Sequence, residues 1–514
     1  MSKISRQALD FTARAIPFFA SVLILSSYTS CTITPKQPVS KIPIPETWQE
    51  GQELPETVTP SQTVESLAAI DLARWWKTFR DPLLHSLIER GIVNNLDMRE
   101  ATSRIREARA AQTMAAAPQL PFLGWASTYT RTRSSSAIVS SAFDDVLTGE
   151  THTTDASSST GGGSFGFGKD QNFYQTGLDA SWELDLFGRI HWIVQAAEAD
   201  VAAAEEDRRN ILVTLLADIA RNYVNLRGFQ QRLAIARQNI QAQQESVEVT
   251  QARYQAGLTS ALDMSQAQAV LASTHSQVPS LQTEVKASIH RLGVLLGSPP
   301  QVLADELSLE RPVPMADLDG SLGLPSGLLR RRPDIRKAER ELEATTARIG
   351  VAQADLFPRF SLTGRLGTQG LHFSDLWKEA GLSWSTGPSV SWPIFDAGRI
   401  RANITIQNAR QEQALTRYER VILTSLEEVE NALVAYAKET VRHRWLTDAV
   451  NANRTALEIA NERYLNGLEN YLNVVIAQRA LFTAQDELAQ SQTTLASQLI
   501  VLYKALGGGW ETSR

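Results

Sequence analysis

Two periodicities divide this chain. Tyr174, Thr176, Leu178, Ala180, Trp182, Leu184 and Leu186 form a mostly apolar set, alternating with Gln175, Gly177, Asp179, Ser181, Glu183 and Asp185. That period of two marks a strand. Leu382, Trp384, Val390, Trp392 and Ile394 alternate in the same way with Ser383, Ser385, Gly387, Ser389 and Ser391, and Phe360, Leu362 and Leu366 with Ser361, Thr363 and Arg365. Elsewhere the period is seven. Residues 192–256 hold no proline and one glycine, Gly228, and as a helix would span roughly 97 Å. Leu212, Ile219, Leu226, Leu233, Ile240 and Val247 recur along it every seventh position, with Leu216 and Tyr223 between them, a coiled-coil seam. Gly257 and Gly467 follow the two long helices, where a left-handed residue is needed to stop a helix.

The chain repeats itself. Asp97, Arg99, Ala101 and Pro121 match Asp334, Arg336, Ala338 and Pro358 at an offset of 237; Gly188, Arg189, Tyr254, Gly257 and Leu262 match Gly398, Arg399, Tyr464, Gly467 and Leu472 at 210. The offset changes across a Ser/Thr/Gly-rich stretch at about 133–170, so the first copy carries the longer loop. The second seam reads Ile422, Val429, Tyr436, His443, Val450 and Leu457, with His443 expected to tip out at its edge. The predicted order is a first repeat at 67–300 (helix, strands at about 120–132 and 172–187, long helix 192–256, return helix 259–296). An inter-repeat segment follows at 301–333. The second repeat covers 334–507 (helix, strands at about 357–367 and 382–396, long helix 401–466, return helix 469–506), with a tail at 508–514. Amphipathic strands also suit a half-buried soluble sheet. Lengths above ten residues and aromatic ends favour a transmembrane barrel, and four strands per chain require several chains to close it.

Composition narrows the chemistry. Among 514 residues, 50 Lys and Arg face 56 Asp and Glu, for a charge of −6, which argues against a nucleic-acid partner. Cys31 is the single cysteine, so disulfides and cysteine zinc sites are excluded. Residues 1–30 read as an export signal, with Lys3, Arg6 and Arg14 before an apolar run from Ala15 to Leu25. Cys31 stands at the place where a lipoprotein signal is cut, although Tyr28 departs from the usual aliphatic residue, and 31–66 reads as a lipidated linker. The segment from Gly163 to Asp170 nearly spells a phosphate loop but has Asp170 where Ser or Thr would hold the metal. Arg330–Arg332 with Asp334 and Arg336 could form an anion site. No metal site and no catalytic constellation is predicted. Nothing in the chain reads as an enzyme.

Residues 75–110, 323–364 and the two RYxxGL tips at 253–258 and 463–468 resemble the TolC-like outer-membrane efflux proteins, in particular their NodT-type lipoprotein branch. The resemblance implies an α+β membrane protein: a homotrimer whose 12-stranded barrel, four strands per chain, crosses the outer membrane. Below it would lie a 12-helix coiled-coil α-barrel and a mixed equatorial domain. It implies a passive exit channel of a tripartite efflux system for drugs or other small molecules. The partners would be a periplasmic adaptor, an inner-membrane pump of the RND type and outer-membrane lipid. No cofactor is expected beyond a lipid on Cys31, and the resemblance makes Arg330–Arg332 with Asp334 and Arg336 a structural network at a helix start in preference to an anion site. The alternatives are the exit channel of a type I protein secretion system and a structural coiled-coil envelope lipoprotein. Gly257, Leu258, Gly467 and Leu468 are the expected adaptor contacts. Asp263, Glu469, Leu472, Asn473 and Ile476 are candidates for a periplasmic gate. Asn473 and Ile476 stand where relatives can carry Asp, so the constriction is expected to be partly apolar.

Overall fold

The computed structural model describes residues 34–40, 42–48, 72–133, 170–316, 326–327 and 331–512. The signal segment, Cys31, most of the linker, Gly163–Lys169 and Arg330 lie outside the described residues. Among those described, the elements run α1 (Pro82–Asn94), α2 (Leu96–Ala116), β1 (Phe122–Arg133), β2 (Asp170–Leu184), α3 (Arg189–Gln255), α4 (Ala261–Leu295) and α5 (Ala304–Ser308). They continue through α6 (Pro333–Ala354), β3 (Arg359–Gly370), β4 (Leu382–Ser391), α7 (Arg399–Leu465) and α8 (Tyr471–Ala505). The repeat is visible in the bounds. Moving α3 and α4 along by 210 residues gives α7 and α8 end for end, and moving β1 by 237 gives β3. No helix among the described residues is long and apolar enough to cross a membrane.

One compact unit comprises residues 1–36, 112–196 and 346–408. Its four strands form one antiparallel sheet in the order β1-β2-β3-β4. Register aligns Trp125, Leu178, Leu366 and Trp384 in one row, and Gly124, Asp179, Arg365 and Ser385 in the next. Because side chains alternate across a sheet, the first row belongs to a mostly apolar face and the second to a polar one. Aromatic rings mark both ends of the apolar face. Trp182 and Trp392 donate indole N–H bonds to the carbonyls of Gln119 and Leu356 at the helix end. Tyr129 and Tyr174 meet at 4.8 Å toward the loop end, where an Arg131–Asp170 ion pair follows.

Two strands stop short of their predicted ends. β2 closes at Leu184 instead of 187 because Asp185 accepts the His191 amide and Gly188 turns at φ 78°. β4 closes at Ser391 instead of 396, since Pro393 has no amide for a ladder. The second turn reuses the same device: Asp396 accepts from the Gly398 and Ile400 amides, and Gly398 has φ 85°. These Asp–Gly turns explain why LFGRI and FDAGRI recur.

The other unit comprises residues 37–111, 197–345 and 409–514. Its main core gathers Leu212, Leu216, Ile219, Tyr223 and Leu226 of α3 with Ile422, Val429 and Tyr436 of α7 and Leu499, Leu502 and Tyr503 of α8. Trp75 stacks on Tyr503 at 5.3 Å within it. Asp81 begins α1: one carboxylate oxygen accepts from the Leu83 and Leu84 amides, and the other from the Tyr223 hydroxyl at 2.6 Å. Burial first, and this bond second, push the Tyr223 phenol up to about 12. The Arg227 guanidinium lies over the Tyr223 ring and donates to the Leu309 carbonyl, joining α3 to the inter-repeat segment.

Arg332 bonds Asp334, Glu428 and the Ala505 carbonyl, while Arg331 pairs with Glu511. Arg209 and Arg336 both lie over the Trp510 ring, whose indole donates to the Arg331 carbonyl. The basic motif is thus an internal lock on the C-terminal segment. His443 departs from expectation: it is half-buried, its Nε2 is enclosed without a hydrogen-bond partner, and it does not tip outward. The heptad holds it on the packed side, seven residues beyond Tyr436.

Candidate functional site: helical tip and barrel face

The two helical hairpins turn by the same geometry. Gly257 and Gly467 both have φ 73°. Leu258 donates its amide to the Arg253 carbonyl at 2.8 Å, and Leu468 donates to that of Arg463 at 2.9 Å. This 6→1 bond with a left-handed glycine is a Schellman stop. It leaves Leu258 and Leu468 exposed at 68% and 67%, an apolar contact point on each turn.

The predicted gate carboxylates are already engaged. Asp263 forms a capping box with Ser260, accepting its amide, and also takes the Thr259 hydroxyl. Glu469 accepts from the Asn473 amide nitrogen and pairs with Arg463 at 3.3 Å. Leu472 and Ile476 lie one turn apart and are exposed, whereas Tyr471, Val474 and Val475 are buried against Ala267 and Val270. The structure therefore gathers Glu469, Leu472, Asn473 and Ile476 at the start of α8, with Asp263 in the corresponding first turn of α4.

Sequence reasoning missed what joins the two hairpins. Arg253 donates to the Leu465 carbonyl at 3.2 Å, and its guanidinium lies 4.7 Å from the Tyr464 ring centre. Ser246 and the Tyr471 hydroxyl meet at 2.8 Å, and burial is the first cause raising the Tyr471 pKa. The RYxxGL repeat contains Arg253 and Tyr464, but the sequence assigns both to their own turns. Only one copy crosses, since Arg463 turns back to Glu469.

On the polar face of the sheet, small residues dominate: Gly124, Ala126, Gly177, Ser181, Thr363, Gly367, Ser383, Ser385, Gly387 and Ser389. The outer membrane efflux protein family matches residues 87–298 and 324–508. This chain belongs to that family. Among its relatives, nodulation protein T of Rhizobium leguminosarum bv. trifolii is 31% identical, covering 98% of each chain. The pyoverdine export outer membrane protein OpmQ of Pseudomonas aeruginosa is 31% identical over 87% of this chain and 89% of its own. The solved structure of the outer-membrane channel OprN superposes with a TM-score of 0.81 at 34% identity, covering 94% of this chain and all of that one.

As a family member, the chain is an outer-membrane efflux channel, a passive transporter and not an enzyme. It resides in the bacterial outer membrane with a periplasmic extension. The apolar row through Trp125, Leu178, Leu366 and Trp384 is then the lipid face, and the Gly/Ser-rich face lines the lumen.

Proposed function

We propose that three copies of this chain close one 12-stranded barrel and form the exit duct of a tripartite pump for small molecules. The observation that carries this reading is the sheet itself: β1 and β4 are its two edges, and one face is mostly apolar. An edge of unpaired amides cannot face hydrocarbon, so β1 of one copy pairs with β4 of the next. A water-filled duct spares cargo the hydrocarbon, and the driving energy comes from an inner-membrane pump of the RND type through a periplasmic adaptor. Cys31 carries the lipid anchor. Gly257-Leu258 and Gly467-Leu468 receive the adaptor. With Asp263 and Glu469 engaged in local bonds, Leu472 and Ile476 narrow the periplasmic end, flanked by Asn473.

The test is a deletion strain. Loss of the gene raises susceptibility to exported small molecules, and the wild-type chain restores resistance only when adaptor and pump are present. A strain that retains a secreted protein instead, with unchanged small-molecule susceptibility, would move the chain to type I secretion.

A further inference from the structure

The lumen face of the sheet holds four charged positions: Asp179 and Glu183 on β2, and Arg359 and Arg365 on β3. Two lie at the helix end and are bonded there, Glu183 to Arg189 at 3.0 Å and Arg359 to Asp355 at 2.6 Å. The remaining two face each other across the strands, with Arg365 Nε 3.5 Å from Asp179 Oδ1. Their row is completed by Gly124 and Ser385. The next row toward the loop end is Ala126, Gly177, Gly367 and Ser383, and the next toward the helix end is Phe122, Ser181, Thr363 and Gly387. Gly177 and Gly367 approach so closely that a Cβ on Gly177 would lie 2.7 Å from the Gly367 Cα. Nothing larger can therefore grow beside the pair on that side. Asp179 and Arg365 stand beside a row of small residues on the loop side, and their side chains stay 47% and 39% exposed.

We propose that the Asp179–Arg365 pair keeps the barrel free of charge selectivity: it forms a neutral collar that passes cations, anions and zwitterions alike. This inference rests on the trimeric-duct reading. In three copies the collar places three carboxylates and three guanidiniums at one height, and their fields cancel beyond a Debye length of about 8 Å. Removing one sign leaves three like charges in a confined space, which concentrates counter-ions by about tenfold. The barrel accordingly imposes no charge selection on the small molecules it carries.

The experiment uses intact cells, so the periplasmic tip plays no part. A reporter thiol is placed on the helix side of the collar (Ser181→Cys) or on its loop side (Gln175→Cys). Labelling rates from outside are compared for cationic and anionic methanethiosulfonates of similar size, with the chain lacking an added cysteine as background. The expected cation-to-anion ratio at position 181 matches that at 175 within about twofold. Arg365→Gln raises it about tenfold, Asp179→Asn lowers it by a similar factor, and the double variant restores it. A ratio at 181 unmoved by either single variant would overturn the collar. Failure of the duct reading looks different: neither reagent reaches position 181, or Leu178→Cys on the opposite face labels as fast.

Discussion

Leu366→Arg places a guanidinium on the lipid face of β3, in the row with Trp125, Leu178 and Trp384. Phe360, in the same strand, sits near the Trp182 and Trp392 indoles that mark the helix end. At about 3.4 Å per residue and a tilt near 40°, Leu366 lies roughly 16 Å further across an apolar band of about 25 Å. That is close to the midplane, where an arginine costs about 2–4 kcal/mol. Carried by three copies, the burden reaches roughly 6–12 kcal/mol per barrel, comparable with the whole stability of a domain. The assay follows outer-membrane fractions for the heat-dissociable oligomer alongside Ser389→Arg, which adds the same group to the lumen face. Leu366→Arg is expected to leave little or no oligomer, and Ser389→Arg to leave near-normal amounts. Equal loss in both would refute the assignment of faces and point to a sheet buried on both sides.

Tyr223→Phe removes the donor to Asp81 and should lower stability by about 1–2 kcal/mol, read as a drop in the thermal midpoint. Because the Tyr223 pKa is raised, the parent loses about 2–3 kcal/mol of stability as pH rises from 10 to about 12, while Tyr223→Phe loses none there; the parent's advantage should vanish and reverse over that window. Cys31→Ala should abolish palmitate incorporation while the barrel still inserts, and a mature N-terminus other than residue 31 would remove the lipid anchor from the account. In planar bilayers the isolated channel should conduct poorly and Ile476→Gly should raise its conductance; high conductance indifferent to changes at 472–476 would contradict an apolar gate. Glu or Arg at Gly257 or Gly467 should abolish efflux at unchanged protein level, because φ 73° strains any side chain there and a charge displaces the apolar contact.

Local pattern was enough for the architecture because the chain encodes it twice, once in each repeat. The seam residues Leu212, Ile219 and Leu226 are buried where the heptad puts them, and the glycine turns fall at Gly257 and Gly467. Strand ends were less legible. Leu186 and Ile394 continue the alternation, but Asp185 and Pro393 interrupt the ladder, and a hydrogen-bond requirement outweighs hydrophobic period there. Asp263 stood as a gate candidate, although the Ser260 spacing already wrote a capping box. The Arg253–Leu465 bond and the Asp179–Arg365 pair could not be read at all. Both depend on register between segments over 180 residues apart in sequence, which no local period carries.

The central claim is that a single chain supplies one third of a closed duct. Its most direct test is the native mass of the complex extracted from outer membranes. The expected protein mass is about three times that of the mature chain, itself slightly below the 56.7 kDa of the full sequence. A membrane-inserted monomer of that chain, with the outer edges of β1 and β4 unpaired in lipid, would contradict it.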